Sequence, residues 1–155
     1  MSEINIQDND IRQKLNQLEA ALEDMSPLYL SVSEMLYAET MENFAQEGRP
    51  SWQKLSPVTI AIRTKLGTWP GKILNVSAGG LASSIHPSSG KDFAAISTNK
   101  PYGRIQHLGG FAGRNNKVHI PARRYFPITE ALDLQPQAKT KLIDLLNEYL
   151  QHSLS

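Results

Sequence analysis

His86, His107, His119 and His152 are the side chains best fitted to acid–base or metal chemistry near neutral pH. Their spacing supports neither use: no two stand four apart, and no metal-type pattern joins them. Each reads as a surface or hydrogen-bonding histidine. The chain has no cysteine, which excludes disulfides and thiolate metal sites and fits a reducing compartment. Gly-Lys pairs at 71–72 and 90–91 lack both the following Ser or Thr and the spaced glycine that a phosphate-cradling loop requires. "GGFAGR" (109–114) has the wrong glycine spacing for a dinucleotide fingerprint and precedes a candidate strand instead of following one. No G-x-S-x-G elbow presents a serine nucleophile. Between residues 48 and 129 Asp92 is the sole acid, so that region has no carboxylate pair for acid–base work. The chain reads as non-enzymatic, with no catalytic residue, no cofactor and no metal.

The other chemistry-bearing side chains are bases. "VHIPARRYFP" (118–127) sets Arg123 and Arg124 between a proline and an aromatic pair, Tyr125 and Phe126. Adjacent residues on an extended chain face opposite ways, so the two arginines are expected to point in different directions. Twelve Lys and Arg lie within residues 48–129, interleaved with Trp52, Trp69, Tyr102, Tyr125 and Phe126. Phosphate contact plus base stacking needs such a mixture. The charges are thinly spread, however, and no recognition helix, zinc finger or RNA-binding sheet motif accompanies them. The aromatics equally suit a small core.

A net charge of +1 conceals a segregation. Residues 1–47 carry ten acids and two bases, a balance of −8; residues 48–129 carry twelve bases and one acid, +11; residues 130–155 stand at −2. This division reads in one of three ways: as a basic surface meeting an anion, as opposite faces meeting copies of the same protein, or as charges that folding intermixes. At 155 residues the chain fits one domain, with an acidic helical arm (1–47), a basic body (48–129) and a C-terminal helix (130–155). No apolar run approaches the ~18–20 residues of a membrane span. "MSEINIQDND" lacks the basic and apolar regions of a signal peptide, so a cytoplasm is the expected location.

The positioning elements follow from periodicity. Ile11, Leu15, Leu18, Leu22 and Met25 form a one-face stripe that predicts a helix over about 9–25, with Asp8 or Asp10 as N-cap. A second, more deeply buried helix is expected from about Pro27 to Gln46, stopped by Gly48 and Pro50. Seven of nine prolines and nine of ten glycines fall between 49 and 127. There, 56–66 reads as a short helix capped by Ser56, 77–85 as a helical turn and 101–109 as a helix ended by Gly109. Residues 92–98 and 117–121 read as strands, and 109–116 as a mobile loop. A last helix is expected over about 136–151. The pattern is α+β: N-terminal helices and a C-terminal helix packed around a small, mostly antiparallel sheet.

Four blocks in order resemble the phage virion morphogenesis family, the tail-completion and head–tail assembly proteins of Mu-like and related contractile-tailed phages and prophages. "RPSWQKLSPVTIAIR" (49–63) is similar to the family's Trp-x-x-Leu-x-x-x-Thr-x-x-x-Arg block, with Trp52, Leu55, Thr59 and Arg63 in register. "KILNVSAGGLASSI" (72–85) resembles its Ile-Leu, glycine, leucine, serine block. "YGRIQHLGG" (102–110) resembles Tyr-Ala-x-Ile-His-Gln-x-Gly-Gly, and "VHIPARRYFPIT" (118–129) resembles the Ile-Pro-Ala-Arg-Pro-Phe-Leu hallmark. The resemblance covers roughly 49–150. Three departures stand out: Gly103 replaces the usual alanine, Gln106 and His107 are exchanged, and Arg124 and Tyr125 occupy the place of one proline.

The resemblance implies a structural virion assembly protein, completing the tail or preparing the head–tail junction, with a capsid-assembly role or DNA binding as alternatives. It implies a homo-oligomer, a ring among the options, beside other tail or head proteins. Transient contact with phage DNA in a lumen would follow, with no membrane involved. The location would be the bacterial host cytoplasm during assembly, or the virion tail or neck. The candidate interface or motif residues are Trp52, Arg63, Tyr102, His107, Arg123, Arg124 and Phe126. Arg123 is expected to form a structural or interface ion pair, for instance with an acid of residues 1–47, and Arg124 to be exposed or interfacial.

Overall fold

The computed structural model describes residues 9–155, so Asp8, a candidate cap, lies outside the described residues. Helix α1 (Asn9–Glu23) leads into α2 (Ser26–Ala45), whose second residue, Pro27, suits a first helical turn. Helix α3 (Pro57–Lys65) starts as its residues dictate: Ser56 Oγ accepts from Thr59 N at 3.2 Å, a cap worth ~1 kcal/mol. Strands β1 (Ile85–Ser89) and β2 (Ala94–Thr98) pair antiparallel, with Ile85 opposite Thr98 and Ser89 opposite Ala94. Helix α4 (Gly103–Leu108) precedes strands β3 (Gly110–Ala112) and β4 (Val118–Ile120), also antiparallel, with Gly110 opposite Ile120. Helix α5 (Pro136–Leu154) closes the described chain.

The α+β class stands: five helices and two antiparallel sheets of two strands each among the described residues. Three local expectations give way. The middle holds two separate hairpins where a single small sheet was expected. Strand β1, "IHPSS", was hidden by Pro87 and its serines; a two-stranded sheet has only edge strands, where a missing N–H is tolerated. Within 77–85 only Ala82–Ser84 is helical, as a single 3-10 turn. The 109–116 stretch, read as a mobile loop, contains β3 and a 3-10 turn. Its glycines are the bends of a hairpin: Gly109 and Gly113 adopt φ of +74° and +77°. At Gly109 a side chain is further barred by Ala122 N, 2.7 Å from where a Cβ would sit.

Helix α2 is the spine, packed against α5, β1 and β2. The core joins its Phe44 to Trp52, Leu81, Ile85 and Tyr125, with Met41, Ile96 and Phe126 packed around them. α1 has no buried residue; it leans on α5, where Tyr149 Oη donates to Ala21 O at 2.5 Å and Asp24 O at 3.1 Å. The buried face of α2 also carries Glu39, Thr40 and Asn43. Thr40 Oγ1 bonds its own helix at Leu36 O, 2.7 Å, which satisfies it without a partner element. Glu39 accepts from Arg49 Nη2 at 2.7 Å and from Lys141 Nζ, joining the acidic, basic and C-terminal segments at one carboxylate. Burial alone would raise the Glu39 carboxyl, but the bonds from Lys141 and Arg49 together hold it below its ordinary range. Arg49 Nε further donates to Asn43 Oδ1, and Asn43 Nδ2 to Tyr125 O and Gln135 Oε1, so the hallmark segment hangs from α2 through a satisfied polar chain.

Candidate functional site

The segment 121–127 crosses the centre of the molecule. Arg123 N donates to Gln106 O at 2.9 Å, fixing it to α4. Tyr125 is fully buried, stacks on Phe44 with centroids 5.2 Å apart, and donates its hydroxyl to Gly103 O at 2.7 Å. Burial pushes its phenol up to about 12. Trp52 meets Phe44 edge-on at 6.0 Å and donates Nε1 to Arg124 O at 3.1 Å, so it ties the 49–55 segment to the hallmark. His107 lies between Tyr125 and Phe126, with centroids 5.0 and 5.3 Å away, and its Nδ1 accepts from Phe126 N at 3.4 Å. Burial, with a smaller contribution from nearby Arg124, pushes His107 down to about 4. It is therefore neutral at physiological pH and acts as a packing residue. Trp52, His107 and Phe126 are thus core or core-flanking side chains.

Arg123 and Arg124 do separate. Arg123 enters a groove of about 400 Å³, and Arg124 a neighbouring cleft of about 550 Å³ beside Trp52 and Gln135. The expected ion pair of Arg123 is replaced by carbonyls: Nε donates to Gln53 O at 2.9 Å and Nη2 to Lys54 O at 3.3 Å. The buried acid of residues 1–47, Glu39, is already taken by Arg49 and Lys141. Burial lowers the Arg123 pKa, yet a guanidinium stays charged, and its planar fork matches successive carbonyls as well as a carboxylate. Arg63 does the same on the opposite wall. Its Nη2 donates to Thr68 O (3.0 Å) and Lys72 O (2.9 Å), its Nη1 to Ile73 O (3.4 Å), and the group lies 5.2 Å over the Trp69 ring.

All four sequence blocks therefore converge on this groove: Leu55, Thr59 and Arg63 from the first, Ile73 and Leu74 from the second, Gln106 from the third, Arg123 from the fourth. Its lining contains Lys54 and His119 but no acid, and its rim exposes Val76 and Val118. Arg63 Nε and Gln106 Oε1 are buried with no hydrogen-bond partner among the described residues, so its wall keeps unmet polar capacity. Tyr102 is exposed and borders a smaller recess beside Leu74 and Gln106. Lys54 and Gln106 were not singled out from the sequence; position 106 could have been found as the polar residue exchanged with His107.

Gly103 and Tyr125, two departures from the family pattern, lie against each other. A Cβ on Gly103 would lie 2.7 Å from Thr98 Cγ2 and 3.1 Å from Tyr125 Oη. Thr98 is the nearer obstacle to an alanine at 103, and the Tyr125 hydroxyl the second. The Gln106–His107 exchange turns the imidazole toward the aromatic core and the amide toward the groove.

Among the described residues no group of three or more His, Asp or Glu could hold a metal ion, and no helix is long and apolar enough to cross a membrane. No solved structure matches the chain. The chain is 32% identical over 152 residues to the Mu-like prophage FluMu G protein 2 of Haemophilus influenzae, covering 97% of each. The model of the phage virion morphogenesis family matches residues 6–151, further toward the N-terminus than the four blocks and through α1 and α2. The chain belongs to the phage virion morphogenesis family.

Proposed function

We propose that the protein completes the tail, or prepares the head–tail junction, of a Mu-like phage or prophage, as a non-catalytic homo-oligomer working beside other tail or head proteins. Family membership makes it a virion assembly protein; the finer role is our reading. The observation that carries it is the groove. The residues that bear the family pattern line one groove, where Arg63 and Arg123 are directed at backbone carbonyls, which supports a docking role. Assembly would take place in the bacterial cytoplasm. In a ring, exposed bases such as Lys65, Arg104, Arg114 and Lys117 would let DNA pass a lumen without base-specific contact.

Extract complementation tests this. Purified protein added to a lysate of phage grown without it restores plaque titre if it acts on tails or necks already built. Restoration only when the protein is synthesised during head construction would place it in capsid assembly instead.

A further inference from the structure

We infer that the groove receives the acidic end of α1 from a second copy of this chain, so that the subunits join head to tail. This rests on the oligomeric assembly role proposed above and names its interface. On the donor side, Leu15 and Leu22 are about half exposed and, among the described residues, line a shallow recess with Leu18, Glu19 and Glu23. The last turn of α1 has no base, and a helix C-terminus is itself partly negative. On the acceptor side, the groove has an apolar floor in Leu55, Ile73, Leu74 and Ile120, bases in Lys54, Arg63 and Arg123, and no acid. Among the described residues Lys54, Glu19 and Glu23 have no ion-pair partner within their own chain.

The signs decide the arrangement. Groove against groove would set bases against bases, which is repulsive, whereas the α1 end offers the opposite charge. Helix into groove is complementary and heterologous, and repeating it gives a closed ring or an open filament. α1 packs on its own α5, whereas the groove is built from α3, residues 73–76, α4 and β4. A neighbour can therefore fill the groove without displacing either element.

Sedimentation velocity with charge swaps tests the inference. Glu19→Lys with Glu23→Lys, or Lys54→Glu alone, should each weaken self-association about tenfold, the equivalent of a few reversed surface pairs. Mixing the two variants, or combining all three changes in one chain, should restore it. The three altered positions, Glu19, Glu23 and Lys54, are exposed in the monomer, and circular dichroism verifies the fold of each variant. Association unchanged by either reversal, or not restored by the combination, overturns the inference. So does a wild-type protein that is monomeric at every salt and protein concentration, which would assign the groove to a different virion protein. Neither result would bear on tail completion, because that role is read from phage particles.

Discussion

Removing the Arg123 side chain would strip two backbone carbonyls, those of Gln53 and Lys54, of their donors in the wall of a groove. Hydrogen bonds to a charged donor contribute ~1.5–3 kcal/mol each, so Arg123→Ala should cost about 3–6 kcal/mol in urea denaturation. Arg124 is half-buried and supports Trp52 through its backbone oxygen, which any residue supplies; Arg124→Ala should cost under about 1 kcal/mol. Equal losses would show that the carbonyl contacts of Arg123 are dispensable. The opposed directions of the two arginines were legible from strand alternation alone. The partner of Arg123 was not, because a sequence shows how many acids exist but not which are already bonded. Glu39, inside the α2 sequence, gave no sign that it would take both Arg49 and Lys141.

Helices were legible as elements because period and caps are local. The stripe of α1, the proline at the start of α2, the Ser56 cap and the Gly109 stop all appear in place. The strands are three to five residues long, and two of them owe their existence to pairing rather than to composition: β1 carries a proline, and β3 is framed by glycines. What the sequence could not show is the coupling between α4 and the hallmark segment. Gly103→Ala should destabilise the fold by roughly 1–2 kcal/mol, since a Cβ would crowd Thr98 and the Tyr125 hydroxyl. Tyr125→Phe should absorb part of that loss, giving a coupling of at least about 0.5 kcal/mol in a double-mutant cycle. Strict additivity of the two changes would show that positions 103 and 125 are not coupled.

Across the whole molecule, the segregation of −8 against +11 is partly used inside the fold and partly left on its surface. Glu39 and Glu47 meet bases of the same chain, at Arg49, Lys141 and Lys72, so folding does intermix some of the charge. Among the described residues Glu19 and Glu23 on α1 and Lys54 at the groove remain exposed and without an ion-pair partner. Electron microscopy of lysates from phage grown without the protein tests the central claim most directly. A tail-completion role predicts intact, free heads beside unfinished tails, with few joined particles. Malformed or missing heads, or complete virions in normal number, would contradict it.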